Sequence, residues 1–148
     1  MSDRTKSIWK RVLVQIGIIL LTAAISAIIW YAFHGWPIAG NLRQQAEQGN
    51  IREVRITRQG ESVTLTDPER LRLAAGTAQL LCVSLPGTAS EGETPEMEYL
   101  FTFSDGKTMR IGVSDETILK DGRQYAPGGD KNSPTLFVNV TEGLFFLK

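Results

Sequence analysis

Residues 97–113 read MEYLFTFSDGKTMRIGV, and the alternation in them decides what kind of domain this chain builds. Met97, Tyr99, Phe101 and Phe103 fall on every second position, the period of a strand with one buried face. The turn can be placed by arithmetic. A two-residue turn at Asp105-Gly106 sets Phe101 against Arg110 and Phe103 against Thr108, which splits the core face. A three-residue loop, Ser104-Asp105-Gly106 with the glycine in the left-handed region, sets Phe101 against Met109, Tyr99 against Ile111 and Met97 against Val113. Only the second register keeps the apolar residues together, so it is the expected one.

Two more hairpins flank this one. A two-residue turn at Gln59-Gly60 pairs Arg58 with Glu61, Ile56 with Val63 and Val54 with Leu65, again with the apolar pairs on one face. A turn at Asp121-Gly122 pairs Ile118 with Tyr125 and Lys120 with Arg123. Between the first two hairpins, Thr66-Asp67-Pro68-Glu69 is a helix start, with a capping oxygen ahead of a proline that needs no amide hydrogen. Leu71, Ala74, Ala75, Ala78 and Leu81 follow at helical spacing and predict a face that covers the sheet. Residues 86–96, PGTASEGETPE, lack apolar periodicity and are predicted to be an exposed loop. Ser133-Pro134 opens a predicted second helix over 134–147 with the stripe Leu136, Phe137, Val140, Leu144 and Leu147, although Val138, Val140 and Thr141 are better strand formers. The fold class expected is α+β: one N-terminal transmembrane helix, then a small domain of antiparallel hairpins packed against one or two helices.

The transmembrane reading comes from residues 12–33, VLVQIGIILLTAAISAIIWYAF, which carry no charge. As a helix they make a rod of roughly 33 Å, enough to cross a hydrocarbon core of about 30 Å. Arg4, Lys6, Lys10 and Arg11 precede the run and only Arg43 follows closely, so the amino terminus is expected in the cytoplasm. Trp9 at one end and Trp30, Tyr31 and Trp36 at the other mark the two interfaces. A cleaved signal peptide is the rival, but the small residues Ala24, Ser26 and Ala27 lie inside the apolar run rather than beyond it. The domain organisation expected is a cytoplasmic tail at 1–11, a transmembrane helix at 12–33, a juxtamembrane spacer at 34–50 with a short helix over 41–49 capped by Asn41, and an extracytoplasmic domain at 51–148. Within the span, Gln15, Thr22 and Ser26 share a face at spacings of seven and four, a candidate surface for pairing with another membrane helix. Against this, Thr22 and Ser26 can bond their own helix carbonyls instead.

The charge pattern bounds the function. Residues 1–11 carry four bases and one acid, whereas residues 43–148 carry twelve bases and fifteen acids. A mildly acidic domain with one short arginine cluster, Arg52, Arg55 and Arg58, lacks the basic stripe that phosphate backbones require, so nucleic acid is not an expected partner. Cys82 is the sole cysteine and is expected to be a small core side chain at the end of the first domain helix. His34 is the sole histidine, and no metal or cofactor motif accompanies either residue. Asp130-Lys131-Asn132-Ser133 lacks the alternating acids of a calcium loop. Glu91, Glu93, Glu96 and Glu98 lie in or beside the predicted loop, and Asp105 and Asp121 have turn roles. No catalytic set emerges. The expectation is a membrane-anchored binding or regulatory module whose partners are the bilayer and another protein. The alternative is a small carboxylate-dependent hydrolase or an accessory subunit of a membrane enzyme.

The run from Val63 to Glu69 with its following helix, the strands around Phe103-Ser104-Asp105-Gly106-Lys107, and Asp121-Gly122-Arg123-Gln124-Tyr125 together resemble small uncharacterised extracytoplasmic domains of Gram-positive bacteria. Such domains are often tethered by a single span or a lipid. The resemblance covers residues 51–147 and implies location and fold, with no catalytic residues. The chain departs from lipid-anchored members because no cysteine stands near its apolar segment.

Overall fold

The computed structural model describes residues 2–89, 92, 94–115, 117–129 and 132–147. Helix α1 runs over Asp3–His34, and its first amides are closed by Ser2, whose hydroxyl accepts from the Thr5 amide. None of its residues is buried, so it projects from the rest of the chain as one helix long and apolar enough to cross a membrane. The helix takes in residues 3–11 as well as the apolar run.

Immediately after α1 the chain enters the domain. Strand β1, Trp36–Pro37, pairs antiparallel with a later strand, and helix α2, Leu42–Glu47, follows. The stretch expected to be a spacer is thus part of the packed unit: Ile38, Ala39 and Leu42 are buried in the core, Leu42 completely. The Asn41 side chain does not cap the α2 backbone; its Oδ1 accepts instead from the Gln45 side-chain Nε2 at 2.8 Å, while the Asn41 backbone carbonyl accepts from the Gln45 backbone amide at 3.0 Å. Gly49, at a φ of 74°, ends the helix as expected of a left-handed terminator.

The remaining elements are β2 (Ile51–Arg58), β3 (Glu61–Leu65), α3 (Pro68–Ala78), β4 (Cys82–Ala89), β5 (Met97–Phe103), β6 (Thr108–Ser114), β7 (Thr117–Lys120), β8 (Arg123–Pro127), α4 (Ser133–Thr141) and a π turn over Glu142–Phe146. The eight strands form one sheet in the order β1-β4-β8-β7-β6-β5-β2-β3, antiparallel at every pairing. With the short helices this is the α+β architecture expected.

The three predicted registers are all present. Val54 faces Leu65, Phe101 faces Met109, Tyr99 faces Ile111 and Ile118 faces Tyr125. Gly106 takes its left-handed conformation at a φ of 88°, and the Asp105 carboxylate accepts from the Lys107 amide. Val54, Ile56, Leu65, Met97, Tyr99, Phe101, Ile111, Val113 and Ile118 are buried on one face of the sheet. Arg55, Thr64, Thr108 and Arg110 stand exposed on the other. Helix α3 starts where expected, with the Asp67 carboxylate accepting from the Arg70 amide at 3.2 Å, and it buries Leu71, Ala74, Ala75 and Ala78.

Three further expectations need correction. Residues 82–89 form β4, paired with β8 and β1, so the predicted loop at 86–96 loses its first part; Ser90, Glu91 and Glu93 lie outside the described residues. Cys82 accordingly opens a strand and is half-buried rather than ending a helix. In the C-terminal segment the helix is present, but its buried residues are Ser133, Pro134, Phe137 and Thr141; Leu136, Leu144 and Leu147 of the predicted stripe face solvent. The π turn adds a residue to the last repeat and shifts the phase, which brings Phe145 rather than Leu144 toward Tyr99, with centroids 6.5 Å apart.

Candidate partner-binding surface

The helices cover the sheet with one face and leave a second apolar stripe outside. On α3, the core residues Leu71, Ala74, Ala75 and Ala78 take the positions i, i+3, i+4 and i+7. Leu73 lies about 200° around the helix from Leu71, and Leu80, two residues past the end of α3, lines the same cleft as Leu73. They are 45 % and 36 % exposed. Leu144, 47 % exposed, and Val140 stand opposite on α4 and the π turn. Between them runs an open groove of about 510 Å³, with Gly76 and Thr77 on its floor and Arg43, Glu47, Glu69 and Arg72 at its rim.

Backbone geometry keeps this groove open. A Cβ added at Gly76 meets nothing within 4 Å, so the gap above α3 is genuine space rather than close helix packing. Arg43 and Glu47 pair across one turn of α2 at 3.7 Å, both well exposed, an interaction of a few tenths of a kcal/mol at most. The rim is therefore charged but balanced.

Beneath the groove lies a buried polar chain. The Tyr99 hydroxyl meets the Thr141 hydroxyl at 2.5 Å, and Thr141 donates to the Phe137 carbonyl at 2.7 Å, so Tyr99 is the donor of the first bond. Thr77 donates to the Leu73 carbonyl at 2.8 Å. Burial pushes the Tyr99 phenol far above its ordinary range. Its ring packs on Phe137 and Phe101 at centroid distances of 4.8 and 5.9 Å. Such a phenol stays neutral and serves packing.

No protein-family model, curated protein or solved structure matches this chain. Chemistry must be read from the residues themselves. Among the described residues no group of three or more His, Cys, Asp or Glu side chains is placed to hold a metal ion. Glu98 is engaged by Arg110 at 2.7 Å, and Glu96 is exposed. Asp130 and Lys131 lie outside the described residues. The Cys82 thiol is raised by burial, away from the range of a reactive thiolate.

The α1 residues singled out in the sequence fall as helical arithmetic requires. Gln15, Thr22 and Ser26 are all exposed on α1. Thr22 donates to the Ile18 carbonyl at 2.8 Å, the self-satisfied arrangement that competes with pairing. His34 closes the helix, stacked on Trp30 at 4.5 Å with its Nδ1 2.9 Å from the Trp30 carbonyl oxygen. The groove is not evident from the sequence because Val140 and Leu144 fall in the same apolar stripe as the buried Phe137. Leu73, Gly76 and Leu80, at i, i+3 and i+7, were the signal available.

Proposed function

We propose that this chain is a single-pass membrane protein, amino terminus in the cytoplasm, whose extracytoplasmic domain binds a protein partner without catalysing a reaction. The observation that carries the reading is the groove beside α3: three leucines at 36 to 47 % exposure line one cleft inside a charged rim, the apolar-centre, polar-edge arrangement of an interaction site. The span is supported by a helix of 32 residues with no buried position. The cytoplasmic amino terminus is supported by the four bases that precede its apolar run. Gln15, Thr22 and Ser26 offer the same partner a second contact within the bilayer, where an interhelical hydrogen bond is worth about 0.6 to 2 kcal/mol.

A photocrosslinking amino acid at Leu144 tests the groove in intact membranes. The expected result is one discrete adduct that disappears when Leu73→Glu is introduced. No adduct, or one indifferent to Leu73→Glu, rejects the groove as the binding surface.

A further inference from the structure

We propose that the β1–β4 edge of the sheet is a lipid-contacting surface that lays the domain on the bilayer crossed by α1; this rests on the reading of α1 as a span. The join between helix and sheet leaves no slack. Gly35 alone separates α1 from β1, and its amide still donates to the Tyr31 carbonyl at 2.7 Å. Tyr31 stacks on Trp36 at 4.5 Å with the planes 12° apart, so the outer aromatic belt of the helix continues directly into β1. Gly128 closes the other side: its amide donates to the Cys82 carbonyl, and a Cβ there would stand 2.5 Å from the Val83 carbonyl and 2.8 Å from the Gly35 Cα. A domain joined this closely sits at the headgroups.

The chemistry of the edge fits that position. Cys82 to Ala89 reads CVSLPGTA and β1 reads Trp-Pro; neither holds a charge, whereas each of the other six strands does. Among the described residues, β1 pairs with Cys82 and Val83 alone, so the rest of β4 is an edge without the charged side chains that often protect one in water. β4 runs antiparallel to β1, and the step from Val83 to Leu85, about 7 Å, leads back toward the end of α1. Between Ser84 and Thr88 the pairing with β8 breaks into a bulge, and Leu85 within it is 55 % exposed. Among the described residues, two cations of the kind phosphate headgroups accept reach this side: Lys120 donates to the Ile38 carbonyl at 3.0 Å and Arg123 to the Gly87 carbonyl at 2.9 Å.

The test uses the full chain with Cys82→Ser, reconstituted in phosphatidylcholine vesicles with or without doxyl-labelled acyl chains. A single environment-sensitive fluorophore is placed at Leu85→Cys, Thr88→Cys, Ser62→Cys on the opposite edge, or Ile19→Cys within the span. Docking predicts blue-shifted emission and doxyl quenching at 85 and 88, as at 19, with water-like, unquenched emission at 62. Quenching at 19 with water-like emission at both 85 and 88 overturns the docked edge and leaves the span intact. A water-like label at 19 defeats the span, and the docking with it.

Discussion

Tyr99 joins the sheet to the helices through its ring and its hydroxyl, so two substitutions separate those contributions. Tyr99→Phe keeps the packing on Phe137 and removes the bond to Thr141, an expected loss of about 1 kcal/mol in chemical denaturation of the full chain in micelles. The phenol also predicts a pH effect. Its folded pKa lies above the unfolded value of about 10, so the native state holds the proton longer. That contribution is complete below pH of about 10 and is lost as the pH rises through the folded value. Alkaline unfolding followed by circular dichroism should therefore be less steep in Tyr99→Phe. Phe101→Ala, at a position with no exposure, should cost about 3 to 5 kcal/mol. A loss below about 1 kcal/mol would contradict the register that places this ring in the core.

At the scale of elements, the hairpins were legible because turn chemistry and alternation agree. Gln59-Gly60 and Asp121-Gly122 each supply two consecutive residues at positive φ, which fixes a two-residue turn and with it every pair along the strands. β4 was not legible: Pro86 and Gly87 punctuate it, and its bulge breaks the two-residue period. The burial of Ile38, Ala39 and Leu42 was also hidden, since three apolar residues in a short irregular stretch show no period of their own. The glycine joint that holds this stretch makes a prediction. Gly128→Ala should destabilise the domain by about 1 to 3 kcal/mol, because the new methyl group meets the Val83 carbonyl and Gly35 backbone, which cannot rotate away. In the span, the triple variant Gln15→Leu, Thr22→Leu, Ser26→Leu should reduce helix association in a membrane two-hybrid assay. Unchanged association would deny that face a pairing role.

The whole molecule is a long exposed helix fastened at one end to an eight-stranded sheet with helices on one face. That Gln15, Thr22 and Ser26 share one side of α1 could be read from the sequence, since it needs only helical spacing. The groove could not be separated from core there, because an apolar stripe looks the same whether another element covers it or not. The proposed function of this chain depends on which side of a membrane the domain occupies. A phosphatase that folds only outside the cytoplasm, fused after Lys148, measures that directly. The account predicts full enzymatic activity in a fusion that stays with the membrane fraction; an inactive fusion, present there at full length, would contradict it.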